Sequence, residues 1–153
     1  MGKMEWTKQQ QTAISERGRS MIVSAAAGSG KTAVLVERLL QILSSRESGV
    51  RSENIVVVTF TNDAAAQMKQ RLYQALTDKM NALESDADEE DYLWLLEQQS
   101  GLSNAKISTI NAFCFDLIRE NADLCGVSSQ FRIAEPAEEI IYVRQAMQTV
   151  LEH

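Results

Sequence analysis

The stretch Val23–Leu40, VSAAAGSGKTAVLVERLL, sets three alanines, two glycines, a lysine and a threonine between an apolar run and an amphipathic one. Ala25–Thr32 fits the phosphate-binding loop, in which a small residue is followed after four positions by Gly-Lys-Ser/Thr. Each residue type has a physical reason. Gly28 and Gly30 free the backbone to curl until successive N–H groups face one centre, a nest for phosphate oxygens. Ala25, Ala26, Ala27 and Ser29 complete the tight small-residue turn. The helix opening near Gly30 adds its unsatisfied N–H groups and positive dipole end. Lys31 supplies a mobile point charge for the β- and γ-phosphates, and Thr32 a hydroxyl for Mg²⁺. Ala25–Thr32 is thus the candidate cradle for ATP, with Lys31 and Thr32 as its candidate catalytic residues. The loop alone does not choose among kinases, GTPases and motors.

The flanks supply the required context. Ser20–Ala25 reads as a buried strand leading into the loop. Thr32–Leu43 reads as a helix, with Leu35, Leu39 and Ile42 on one face and Val36, Leu40 and Leu43 beside it. Upstream, Thr7 is a good cap for a helix through Ser15 whose apolar contacts are Ala13 and Ile14. Downstream, Asn54–Phe60 is short, β-branched and continuously apolar, as central parallel strands are. Ala64–Leu83 returns to helix, capped by Thr61 or Asn62. Residues 91–99 read as a short helix, Ala105–Ile110 as a third strand and Ala112–Asn121 as a helix burying Phe113, Leu117 and Cys114. Phe131–Ile133 is a short strand or an extended connection, and Pro136 opens a last helix through Val150 with Glu138 and Glu139 near its positive end. Trp6 and Trp94 read as packing residues. Strand and helix alternate, so the class is α/β with a parallel sheet.

The 153 residues suffice for one domain with a real core, and the composition is that of a soluble protein, 44% hydrophobic and 24% charged. No apolar stretch reaches the length of a membrane span and the N-terminus has no signal core, which predicts a cytoplasmic chain without a membrane partner. Cys114 and Cys125 lack metal-ligand spacing and read as buried free thiols. The net charge of −6 is local: Glu84–Glu97 holds seven acids and no Lys or Arg, and the remainder has 14 acids against 15 basic residues. Total charge therefore does not exclude nucleic acid. The closing Leu151–His153 reads as the remnant of an expression tag, leaving residues 1–150 as the natural segment.

No Asn-Lys-x-Asp base reader of a GTPase is present, no Leu-Ser-Gly-Gly-Gln transporter signature, and no strand ending in an Asp-Glu pair. The strand ending VTFTN points elsewhere. WTKQQQTAI, AAAGSGKT, VVTFTNDAAAQMKQRL and ISTINAFCFDLIREN resemble, in order, the Q motif and motifs I, Ia and Ib of the UvrD/Rep-type superfamily 1 DNA helicases. The triple alanine, ISTINAFC and FRIAEPAE are most similar to the AddA helicase/nuclease branch of that family.

The resemblance implies the N-terminal part, residues 1–150, of a first RecA-like ATP-binding domain, a three-layer P-loop NTPase fold. It implies that Gln10 reads adenine, that Phe60, Thr61 and Asn62 lie against single-stranded DNA, and that Thr109, Asn111 and Phe113 form a second contact. Asp63 stands where relatives often have lysine, and Asn111 where they usually have histidine. The residues themselves admit other roles: Gln10 is one of three consecutive glutamines, Phe60 could close a buried strand, Asn62 could cap a helix, and Phe113 is spaced with Leu117 as a core residue. The implied partners are single-stranded DNA, a second RecA-like domain, a nuclease domain and a second helicase/nuclease subunit. The implied role is DNA unwinding in double-strand-break repair and recombination. The alternative is a small-molecule phosphotransferase, which needs an Arg-bearing lid that the sequence does not supply.

Overall fold

The computed structural model describes residues 5–83, 89–128 and 130–152. The chain divides into two compact units, Met1–Phe113 and Cys114–His153.

The first unit begins with α1 (Lys8–Ser15), held at its start by a capping box. The Thr7 hydroxyl accepts from Gln10 N–H, and the Gln10 side chain accepts in turn from Thr7 N–H. Ala13 and Ile14 are its buried residues, as the sequence predicts, and they pack with Val34 and Trp6. The loop follows, and α2 (Lys31–Ser44) springs from Gly30, whose φ of 82° is left-handed. β1 (Val56–Thr59) leads through Thr61 into the long α3 (Asn62–Asn81), then come α4 (Glu89–Gly101), β2 (Lys106–Thr109) and α5 (Ile110–Glu120).

The two strands pair in parallel with Val57 opposite Ile107 and Thr59 opposite Thr109. A parallel pair needs a crossover, and α3 with α4 provides it. The core gathers Leu39 and Leu43 of α2, Val57 of β1, Leu72 and Leu76 of α3, and Leu95 of α4. Each such leucine contributes about 1.5–3 kcal/mol by leaving water. Two polar links fix this core. Gln98 is 1% exposed and accepts Ser52 N–H at 2.8 Å. Trp94 donates its indole N–H to Leu43 O at 2.7 Å, satisfying a carbonyl at the end of α2.

Several expectations change. Ser20–Ala25 forms no strand: Ile22 is 97% exposed, and among the described residues no strand pairs with the segment. A strand takes its hydrogen bonds from a neighbour, so an apolar extended run stays unregistered until one is present. β1 is covered on one face only. Val57 is buried, whereas Val56, Val58 and Phe60 are exposed, so the described residues make one helical layer over a two-stranded sheet. On α2 the inward residues are Val34, Leu39 and Leu43, and Leu35 turns outward. The acidic segment 84–88 lies outside the described residues, while Glu89, Glu90 and Asp91 open α4, where the helix dipole favours them.

In the second unit, α5 continues and a short α6 (Ala122–Cys125) ends at Gly126, whose φ is 66°. Residues 131–133 form no strand and connect onward to the last helix. α7 (Pro136–Leu151) starts with proline in its first turn and a Glu135/Glu138 capping box. Arg132 grips Glu138 through both guanidinium nitrogens, at 2.7 and 2.6 Å, and holds its carboxyl down to about 2. The aromatic rings of Phe115 and Phe131 meet at 4.8 Å. None of α5 is buried, so Phe113 and Leu117 are not core residues, and both cysteines are free but exposed. Spacing of 3.6 residues shows that one face is apolar, not that something covers it.

Candidate functional site

The candidate phosphate loop turns on two left-handed glycines. Gly28 and Gly30 have φ of 78° and 82°, in the region that residues with a Cβ avoid. Ser29 N–H closes a turn onto Ala26 O at 3.3 Å, bending Ala26–Ser29 back on itself. Gly30 offers α2 no side-chain cap, so the first-turn N–H groups have no acceptor within the helix. An uncapped helix start beside a glycine turn leaves N–H donors that an anion can take.

Lys31 is the first residue of α2, and its ammonium donates to Ala25 O and Ala26 O, each at 2.8 Å. The charge is therefore folded over the loop and anchored to its entrance. An ammonium has three donors, so one remains for an incoming oxygen. Thr32 is exposed on the first turn of α2. Among the described residues no cluster of three His, Cys, Asp or Glu stands ready to hold a metal ion.

Beside the loop lies a cleft of about 880 Å³, to which Gln10, Ala25, Ser29 and Lys31 all contribute. Gln10 reaches the loop directly, donating from Nε2 to Ser29 O at 3.2 Å. Of the predicted nucleotide residues, Ala26 adds its carbonyl to the lysine anchor, and Ala27 and Gly28 form the exposed turn. Residues that the motif reading passed over also line the cleft: Arg19, Met21, Leu35 and Arg38. Arg19 is paired with Glu16 at 2.9 Å. Arg38 crosses from α2 to donate to Ala13 O at 2.7 Å, and Arg17 donates to Ile14 O at 2.5 Å. Both charges sit at the negative end of α1. Burial, then the neighbouring Arg38 charge, lowers the Arg17 pKa. The sequence signal for Arg17 and Arg19 is the cluster ERGRS ahead of the apolar run, which has no motif spacing.

The two stretches expected to touch DNA meet at one edge. Thr59 and Thr109 are register partners at the C-terminal ends of the paired strands, so Phe60–Asn62 and Thr109–Phe113 leave the sheet side by side. Phe60 is 96% exposed, which removes it from the core. Thr61, not Asn62, caps α3, accepting Ala64 N–H at 3.2 Å, and Asn62 stays exposed. The Thr109 hydroxyl accepts Ala112 N–H at 3.2 Å. Asn111 is exposed and Phe113 half-buried. An exposed aromatic ring flanked by small polar side chains is the equipment for stacking a base.

The family model described as the UvrD/REP helicase N-terminal domain matches residues 6–153. Similar curated proteins include the ATP-dependent helicase/nuclease subunit of Exiguobacterium sibiricum, 42% identical over 149 residues, and that of Anoxybacillus flavithermus, 43% identical over 148; each alignment covers 97% of this chain. The Clostridium acetobutylicum protein of the same name is 35% identical over 152 residues, or 99% of the chain. The chain spans only 12% of the length of each of these relatives.

Proposed function

Because the chain belongs to the UvrD/REP helicase N-terminal domain family, we propose that it is the ATP-binding part of an ATP-driven DNA helicase/nuclease. The whole protein would couple ATP hydrolysis to translocation on single-stranded DNA during double-strand-break repair and recombination in the cytoplasm. Residues 1–150 would form the N-terminal part of a RecA-like, three-layer P-loop domain. Its partners would be DNA, a second RecA-like domain, a nuclease domain and a second helicase/nuclease subunit. Among the described residues no helix is long and apolar enough to cross a membrane.

The observation that carries this reading is the loop: left-handed Gly28 and Gly30 open an uncapped helix whose first residue is Lys31. Backbone N–H groups of the loop bind the phosphates of ATP, the Lys31 ammonium neutralises the outer ones, and the Thr32 hydroxyl is placed to ligate Mg²⁺. Bound with the nucleotide, Mg²⁺ neutralises charge developing on the phosphate oxygens. Gln10, in the same cleft, holds the base. Nothing favours a small-molecule phosphotransferase.

The test is calorimetry with Mg·ATP. Charge-assisted hydrogen bonds are worth about 1.5–3 kcal/mol, so Lys31→Ala should weaken binding at least about tenfold. Equal affinity in wild type and variant would remove the phosphate-loop reading.

A further inference from the structure

One carboxamide bonds both to the cap of α1 and to the phosphate loop. Gln10 Oε1 accepts Thr7 N–H at 2.9 Å within the capping box, and Nε2 donates to Ser29 O at 3.2 Å, 19 residues along the chain. A Cβ on Gly30 would stand 3.6 Å from the same Nε2, so the amide lies against the very peptide it holds.

That peptide is the sensitive one. The Ser29–Gly30 unit is planar, so fixing the direction of Ser29 C=O fixes Gly30 N–H in the opposite direction. Glycine tolerates both signs of φ, and nothing intrinsic to Gly30 prevents this peptide from turning over. Turned over, it would present a carbonyl oxygen to a phosphate instead of an N–H. Ser29 N–H is already committed to Ala26 O on the near side. The Gln10 contact supplies the restraint on the far side.

We propose that Gln10 is a positioning residue for the phosphate loop, its amide holding Ser29 C=O away from the anion site so that Gly30 N–H points in. The proposal rests on the nucleotide reading above and adds to it a role in phosphate binding that is independent of the base. The two roles are chemically compatible. A carboxamide has two N–H groups and two lone pairs, and the protein uses one of each, leaving one of each for a base.

The test separates base from phosphate by using two ligands, Mg·ATP and inorganic tripolyphosphate with Mg²⁺, which has no base. Gln10→Glu keeps an acceptor for Thr7 N–H, and so the capping box, but has no donor for Ser29 O. Gln10→Met removes the donor, and with it the capping-box acceptor, without adding charge. Both variants should bind tripolyphosphate about three- to tenfold more weakly than wild type, the range of one neutral hydrogen bond. The backbone amide resonances of Gly28, Ser29, Gly30 and Lys31 should move in Gln10→Glu while those of core residues Leu43 and Leu72 stay, a signature that general destabilisation does not give. A loss confined to ATP, with tripolyphosphate at wild-type affinity, would overturn the brace and leave base reading alone. Unmoved loop resonances would overturn it too. The parent reading fails differently: wild type would bind neither ligand, or Lys31→Ala would bind both as wild type does.

Discussion

Gly28→Ala isolates the conformational requirement of the loop. A Cβ built on Gly28 meets nothing within 4 Å, so the substitution introduces no clash within the chain. Its cost is the φ of 78°, which for an L-residue amounts to about 1–2 kcal/mol. That energy has two ways to appear. If the loop keeps its shape, the strain lowers stability, and in a chain of 153 residues each kcal/mol shifts Tm by about 2–4 °C. If the free loop relaxes instead, Tm is spared, but the nest must be rebuilt when ligand binds and the same energy leaves the affinity. A full 1–2 kcal/mol taken from binding is roughly a 5- to 30-fold loss. Differential scanning calorimetry and Mg·ATP titration together should therefore account for the whole strain, however it divides. Gly28→Asn should show a smaller total, because asparagine tolerates the left-handed region better. Wild-type Tm together with wild-type affinity in Gly28→Ala would refute the reasoning. Equal losses for Ala and Asn would trace the effect to bulk against the ligand rather than to backbone strain.

Three further outcomes follow from named residues. A steady-state ATPase assay of this chain should show binding with very slow turnover, since neither strand, VVVT nor KIST, carries a carboxylate to assist Mg²⁺ or water, and a missing arginine finger alone costs about 10³–10⁵ in rate; robust turnover abolished by Lys31→Ala would contradict this. Gln98→Leu should lower stability by about 1–3 kcal/mol, read as a lower midpoint in urea, because it leaves the buried Ser52 N–H without its acceptor. The Glu138 carboxyl, held at about 2 by Arg132 and then by Glu135 N–H, binds fewer protons in the folded helix than when unfolded. Its contribution to α7 is therefore complete above its ordinary pKa of 4.5 and is lost as pH falls from there toward 2, which carboxyl NMR should show, with Arg132→Gln moving the midpoint up.

The turn at Gly28–Lys31 is legible because its signals are local. Gly28, Gly30 and Lys31 act through their own φ angles and the start of their own helix. The capping box was half visible, in Thr7, since Gln10 stands at the N3 position such a box uses. What the sequence hid was non-local. The Gln98–Ser52 contact joins residues 46 apart, and no spacing rule announces it. Ser20–Ala25 and Asn54–Phe60 look alike as apolar runs, yet only the second finds a paired neighbour, because pairing is a property of two segments and pattern a property of one. The helix expected over Ala112–Asn121 forms as Ile110–Glu120 but buries none of its residues, for the same reason.

The helices that follow the Gly28–Gly30 loop and the Phe60 turn are joined by packing. Lys31 begins α2 and Phe60–Asn62 lead into α3, and these two helices share one core through Leu39 and Leu43 on one side and Met68, Leu72 and Leu76 on the other. Close-packed leucines do not slide independently, since a shift of even a methylene's width opens voids or clashes. The start of α2 is thus referred to the start of α3 by a rigid contact rather than by a flexible chain. Thr61 reinforces that reference at the far end: its hydroxyl holds Ala64 N–H, and its carbonyl accepts from the Thr59 hydroxyl at 2.9 Å, so the turn carrying Phe60 is bonded to both β1 and α3. A ring that is 96% exposed would ordinarily be a liability on a free surface. Its backbone is held on a turn bonded to both β1 and α3, and α3 packs against the helix that begins with Lys31, so the place from which the ring projects is set relative to that helix.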